Sequence, residues 1–350
     1  MRYSRNKIDK AGAIVASPTP IDLIRYAEAI TIINDWREQH LPVLIELAKE
    51  VSATLAANNI KVSFSSQRLK RMVSIVEKIK RFPNMDLGGM QDIGGARFGF
   101  EDMPTLLQAK ECLLSNTPKG FSLDHEVYDY VSAPKESGYR SIHFVFRYHS
   151  DKDELDGMRV ELQIRTMLQH DWATAVETAE LVSKSPLKAG TGDKEWLAYF
   201  KLVSAIFARQ ERMPVPTAYA EYDEERLCRE YAKMNASHNF TTQLQTLVNV
   251  VALTEPQSFD SGLVVVHIDY PHRKSHIRHF PLAEQTFATN LYAQIESKIT
   301  PETGAVVLVS VSNIQELREA YPSYFLNAEE FIAALNTFST RCQMYNISEL

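Results

Sequence analysis

Apolar residues recur at helical spacing from about Ile21 to Ala57: Leu23, Tyr26, Ile30, Ile33 and Trp36 form a stripe that Leu44 and Ile45 continue. Pro18-Thr19-Pro20 precedes this stretch, and Pro42 is expected to kink or split it, because proline supplies no N–H to the helical ladder. The pattern then predicts a short strand Lys61–Phe64 and a basic helix from Ser66 to Arg81, ended by Phe82-Pro83-Asn84. A strand Ala96–Phe100 follows Gly94-Gly95, and Pro104–Ser115 reads as a helix. His125–Val131, Ser141–Tyr148 and Met158–Ile164 mix β-branched and aromatic residues between Gly, Pro and Asp clusters, which suits an antiparallel or mixed sheet. Helices are expected from near Thr166 toward Leu181 and over Asp193–Met213.

Pro214-Val215-Pro216 is the expected domain boundary, dividing the chain into 1–215 and 216–350. Beyond it, Tyr219–Leu253 reads as one long helix. A small α/β unit follows: strand Gly262–Asp269, a His-rich turn, helix Leu282–Ile299, strand Ala305–Val311, and helices after Asn313 and Asn327. The fold class is therefore α+β, a mixed sheet flanked by helices with a smaller C-terminal α/β domain.

The 350 residues carry a formal net charge of -6, so any attraction to phosphates must come from local patches. The N-terminus lacks the apolar core of a secretion signal, and no stretch is long and uncharged enough to span a bilayer, so a cytoplasmic chain with no membrane partner is expected. Cys112, Cys228 and Cys342 are odd in number and far apart, and three reduced thiols are expected.

Four segments hold candidate chemistry. On the basic helix, Lys70, Ser74 and Lys78 share a side with Arg68 at its edge, suited to an extended triphosphate, although such a charge run is more often a solvated face. Asp92 precedes Gly94-Gly95 and Arg97; a carboxylate at a strand entrance suits Mg²⁺, and equally a turn cap. In the loop from Tyr128 to His143, Tyr139 is a platform for a base while Lys135 and Arg140 meet phosphates; a plain surface loop with His143 in the core fits about as well. Glu161, Gln163 and Arg165 share one strand face at period two, lining a site or facing solvent.

Taken in order, RxKxxxS, DIGGAR, DYVSAPKESGYRSIH and VELQIRT resemble the synthetase domain of the RelA/SpoT family over about Val62 to Glu180. The resemblance implies a nucleotidyltransferase-like core and transfer of the β,γ-diphosphate of ATP to a ribose hydroxyl, releasing AMP. It implies Asp92 and Glu161 as catalytic Mg²⁺ ligands, with Glu161 activating the acceptor hydroxyl. Arg68 and Lys70 are implied ATP contacts, with Arg97 a weaker candidate on the adenine side. Tyr139 is implied to stack on the acceptor base, and Lys135, His143 and Gln163 to fall at acceptor-side or supporting positions. The dipeptide His170-Asp171 lacks the upstream ligands of the family's hydrolase domain and reads as part of a helix.

Short family members use either guanosine nucleotides or the 3′ CCA end of tRNA as acceptor. Tyr321-Pro322-Ser323-Tyr324 resembles the YxxY element of the CapRel family, fused toxin–antitoxin proteins of anti-phage defence. That likeness implies Tyr321 and Tyr324 as an autoinhibitory plug in the ATP site, released by a phage protein, and toxicity that rises when the C-terminus is removed. Tyr128 stands where housekeeping members often carry lysine, which favours tRNA over GDP or GTP. The cluster of His267, His272, His276 and His279 with Arg273, Lys274 and Arg278 is expected to be a basic hairpin for RNA or a protein partner, since its spacing is not that of a zinc finger.

Overall fold

In the computed structural model the structure describes residues 3–19, 22–151, 154–183, 187, 192–248, 252–253, 261–269, 271–272, 274–300, 303–311, 313, 315, 317 and 328–345. In chain order the elements are α1 (Arg5–Ala16), α2 (Leu23–Ala57), β1 (Phe64–Leu69), α3 (Met72–Arg81), β2 (Gly94–Phe100), α4 (Met103–Ser115), β3 (Phe121–Leu123), β4 (Tyr128–Asp129), β5 (Ile142–Tyr148), β6 (Arg159–Thr166), α5 (Met167–Ser183) and α6 (Lys194–Gln210). They continue with α7 (Glu224–His238), α8 (Phe240–Val248), β7 (Ala252–Leu253), β8 (Gly262–Asp269), β9 (Lys274–Phe280), α9 (Gln285–Glu296), β10 (Gly304–Val311) and α10 (Glu329–Cys342).

Asp22 caps α2 by accepting from the N–H groups of Ile24 and Arg25, and the helix runs through Pro42 without splitting. Its first half buries Ala29, Ile33 and Trp36 against α1, a helix that sequence reading did not anticipate, and against Ile75 of α3. Its second half, Leu41 to Leu55, covers the sheet.

The strands form one mixed ten-stranded sheet, ordered β3-β5-β6-β2-β1-β10-β8-β9-β7, with β4 on β5. The expected basic helix from Ser66 is corrected here: Phe64–Leu69 is a strand, and helix begins only at Met72. Paired along its whole length with β2 and at Gln67 and Arg68 with β10, β1 gains tertiary hydrogen bonds that override its helical spacing. The expected strand His125–Val131 shrinks to the two residues of β4. Strand β9 replaces the expected His-rich turn, so that His267 and His276 stand opposite each other on β8 and β9. The long helix Tyr219–Leu253 is broken at Asn239, whose φ of 51° ends α7 in the left-handed region.

Strands β8 and β10 read as continuous apolar runs because both faces are covered. Leu263, Val265, Val306 and Leu308 join the core beneath α2, α4 and α9. Val264, Val266, Val307 and Val309 pack with Phe64 on the other face. A separate helical core unites Trp172 of α5 and Phe200 of α6 with Leu227 of α7, Leu244 of α8 and Phe331 of α10. The stretches either side of Pro214–Pro216 thus share a sheet and a helical core. Cys228 and Cys342 join α7 to α10 in a disulfide with Cα atoms 5.5 Å apart, correcting the expectation of three free thiols; Cys112 is free and buried. Among the described residues no helix is long and apolar enough to cross a membrane.

Candidate active site

Strand register assembles the site. Residues paired across a sheet point to the same face. Arg68 pairs with Gly95 and Gly95 with Glu161, making one rung across β1, β2 and β6. Two residues along, Arg97 pairs with Gln163, Gln163 with His143 and His143 with Tyr128, a second rung from β2 to β4. Arg165, two further along β6, continues the face. The alternate residues Ala96, Phe98, Leu162, Ile164 and Phe144 point the other way into the core.

Arg68, Gly95, Arg97, His143, Glu161, Gln163 and Arg165 line a cavity of about 270 Å³, together with Lys70, Asp92, Lys135, Ser137 and Tyr139. Gly95 leaves its floor open beside Glu161: a Cβ there would meet nothing within 4 Å. Gly94 serves packing instead, since a Cβ would approach Leu44 of α2 at 2.9 Å. The far end is apolar, formed by Trp172, Val176, Leu187, Leu197 and Phe200, with Trp172 anchored through Nε1 to the Phe200 carbonyl at 2.8 Å.

Two carboxylates, each clasped by cations, sit on this wall. Asp92 takes Lys70 Nζ at 2.7 Å and Lys78 Nζ at 2.9 Å. Burial alone would raise its pKa, but the two ammonium groups outweigh it and hold Asp92 at about 2. Glu161 accepts from Gln163 Nε2 at 2.6 Å and lies 2.9 Å from His143 Nδ1. Burial opposes its charge as well, yet His143 holds Glu161 below the usual carboxylate range. His143 Nε2 lies 3.0 Å from the Tyr139 hydroxyl. Against burial, Tyr139 and Glu161 raise the imidazole to about 9, and it stays protonated at neutral pH.

Cations crowd the remainder. Burial, reinforced by Arg97 and Arg68, brings Arg165 down to about 10, and burial draws Lys70 below its ordinary range against the pull of Asp92. Guanidinium groups that repel one another in a buried cleft are stabilised by an anion bearing several charges. The loop before β5 is pinned by glycine: Gly138 has φ +89°, and a Cβ there would meet Ser204 of α6 at 2.9 Å. Along it, Tyr128 and Tyr130 stack at 6.2 Å with planes 10° apart, Tyr130 meets Tyr139 at 6.2 Å, and Lys135 Nζ lies 4.0 Å from the Tyr130 ring centre.

The structure brings Arg68, Lys70, Asp92, Arg97, Lys135, Tyr139, His143, Glu161 and Gln163 to one cavity. Lys78 reaches Asp92 from α3, while Ser74 and Arg140 are not on the cavity wall. Arg140 is corrected from the expected phosphate contact: its buried guanidinium pairs with Glu211 at 2.6 Å and ties the loop to the end of α6. Arg165 carried a legible signal, the period-two face, whereas the apolar end comes from helices that only tertiary packing brings close. Tyr321 and Tyr324 lie outside the described residues.

The two carboxylates fit Mg²⁺, which binds through one or two carboxylates and completes its shell with water and phosphate oxygens. Among the described residues no cluster of three or more His, Cys, Asp or Glu could hold a metal ion.

A sheet-borne cleft pairing ionised carboxylates with converging cations has the charge pattern that suits a polyphosphate. In agreement, residues 67–185 match the family model described as the region found in RelA / SpoT proteins. Over 120 residues the chain is 36% identical to the GTP pyrophosphokinase YjbM of Bacillus subtilis, covering 32% of this chain and 54% of that protein. It is 27% identical over 179 residues to the uncharacterized protein Rv1366 of Mycobacterium tuberculosis, covering 50% and 58%. The chain thus spans little more than half the length of these curated relatives. Among solved structures, small alarmone synthetase 1 of Bacillus subtilis bound to pppGpp matches with a TM-score of 0.43 at 25% identity, covering 51% of this chain and 93% of that one.

Proposed function

We propose that the chain transfers the β,γ-diphosphate of ATP to a hydroxyl at the 3′ end of tRNA, releasing AMP. The observation that carries the transfer is the cavity itself: Arg68, Lys70, Arg97, Lys135 and Arg165 surround two ionised carboxylates. The Pβ–O bond to the α-phosphate breaks as the acceptor oxygen bonds to Pβ, and the acceptor's proton passes to Glu161. Gln163 and His143 hold that carboxylate in one orientation. Lys70 and Lys78 neutralise Asp92, and a triphosphate beside Arg68 offers them further oxygens. Bound by Asp92 and Glu161, Mg²⁺ would neutralise charge building on the phosphates. The rest is positioning by this chain's cations.

The tyrosine series supports the tRNA acceptor. Exposed Tyr128 leads through Tyr130 to Tyr139 on the cavity wall, a succession of rings suited to consecutive bases of a single strand. A second reading, GDP or GTP as acceptor, is favoured by the likeness to the Bacillus subtilis GTP pyrophosphokinase. In either case residues 216–350 are the regulatory part; with tRNA as acceptor, Tyr321 and Tyr324 act as plug and a phage structural protein as the releasing partner.

The test offers γ-labelled ATP with deacylated tRNA, GDP and GTP to the full chain and to Tyr324→Ala. Label on tRNA alone, rising in Tyr324→Ala, is expected; label on GDP or GTP moves the reading to alarmone synthesis. An unchanged rate in Tyr324→Ala removes the plug. Glu161→Gln should lose transfer by about a hundredfold or more.

A further inference from the structure

Helix α3 carries Lys78 to Asp92, yet its N-cap residue, Arg71, makes no side-chain cap. The opening N–H groups of a helix have no partner within it. Here an acceptor arrives from far along the chain: Glu296, the last residue of α9, accepts from the Met72 N–H at 2.7 Å. The same carboxylate accepts from the Tyr292 hydroxyl at 2.8 Å and from Arg37 Nη1 of α2 at 2.9 Å. Arg37 also donates to the Tyr292 hydroxyl.

This post is shielded from water. The side chains of Arg37 and Glu296 are 2% and 9% exposed, and Tyr292 is buried. Charges so placed hold each other in fixed geometry, unlike a surface pair. The strand leading into α3 is held from the same part of the chain, since β10 pairs with β1 at Gln67–Ser310 and Arg68–Val309. The run bearing Arg68, Lys70 and Lys78 is therefore fixed along β1 by β10 and at the start of α3 by Glu296.

We infer that Glu296 is a positioning residue for the phosphate-donor side, setting α3 so that Lys78 and Lys70 converge on one anion; this rests on the proposed diphosphate transfer. Acceptor-side groups stand on β5, β6 and the loop before β5, so loss of the cap acts on one substrate and not the other.

The test uses the full-length chain. In Glu296→Ala, KM for ATP should rise about fivefold, the cost of a lost helix cap, while KM for the acceptor stays within about twofold. Amide exchange over Met72–Lys78 should quicken. Glu296→Gln keeps an acceptor for the Met72 N–H and should restore most of the ATP KM. A folded Glu296→Ala chain with native ATP KM and native exchange in α3 would overturn the inference.

If Glu296→Ala does not fold, Tyr292→Phe decides. It removes one hydrogen bond to Glu296 and keeps the ring, so faster α3 exchange supports the role and unchanged exchange overturns it. Exchange and the affinity for a non-hydrolysable ATP analogue are read without turnover. A wild-type chain inactive toward tRNA, GDP and GTP therefore sinks the proposed transfer, while these two readouts still judge Glu296.

Discussion

Asp171 shows how one residue can report on packing between distant parts of the chain. It lies on α5, where burial, with Glu330 of α10 adding to it, pushes its carboxyl up to about 7 against the pull of Arg165. The folded chain keeps this proton at a pH where the unfolded chain has lost it, so the contribution is full below about pH 4 and lost as pH rises through 7. Urea unfolding of the wild type should show a fall on the order of 4 kcal/mol between pH 4 and 8 from this group, and Asp171→Asn should flatten it. Its neighbour His170 is buried, bonds Arg165 and rests on the Phe64 ring at 4.4 Å, in keeping with the helical reading of that dipeptide. At this scale, what was legible followed local rules: Glu161, Gln163 and Arg165 fall on one face because a strand alternates. Arg140 was not legible, because its partner Glu211 stands on another element and nothing beside Arg140 announces it.

Among elements, sequence reading located β2, β5, β6, β8 and β10 closely, because their apolar runs are bounded by glycine, proline or aspartate. It failed at β1, where Leu69, Met72, Val73 and Val76 extend a helical spacing across the boundary at Lys70–Arg71. Only the strands on either side decide that Phe64–Leu69 is extended. The pairing of Cys228 with Cys342 was equally hidden, since composition says nothing of which helices cross. With its ends 114 positions apart in sequence, this bridge removes much freedom from the unfolded chain. Reduction, or replacement of both cysteines by serine, should lower unfolding stability by about 3–5 kcal/mol, measured by urea denaturation with and without reductant.

For the whole molecule, the proline-marked boundary at Pro214–Pro216 separates stretches that are joined in space. Removing residues 216–350 would strip β10 from β1, uncover the apolar face beneath α9 and take three helices from the core around Phe200. The truncated chain is therefore expected to aggregate or expose apolar surface to a reporter dye, and to bind no ATP, rather than gain toxicity. A monomeric fragment that unfolds cooperatively and binds ATP would refute this. Control of the site is better sought in point changes to the full chain.

The same pairing of Gln67 with Ser310 sets an order of events at birth. Translation delivers β1 more than two hundred residues before its neighbour β10, and contacts so remote in sequence form late. A nascent chain on the ribosome thus carries Arg68, Lys70 and Lys78 without the strand that aligns them. If the product of this activity halts protein synthesis, each new copy stays harmless to the ribosome making it until β10 has emerged and paired with β1.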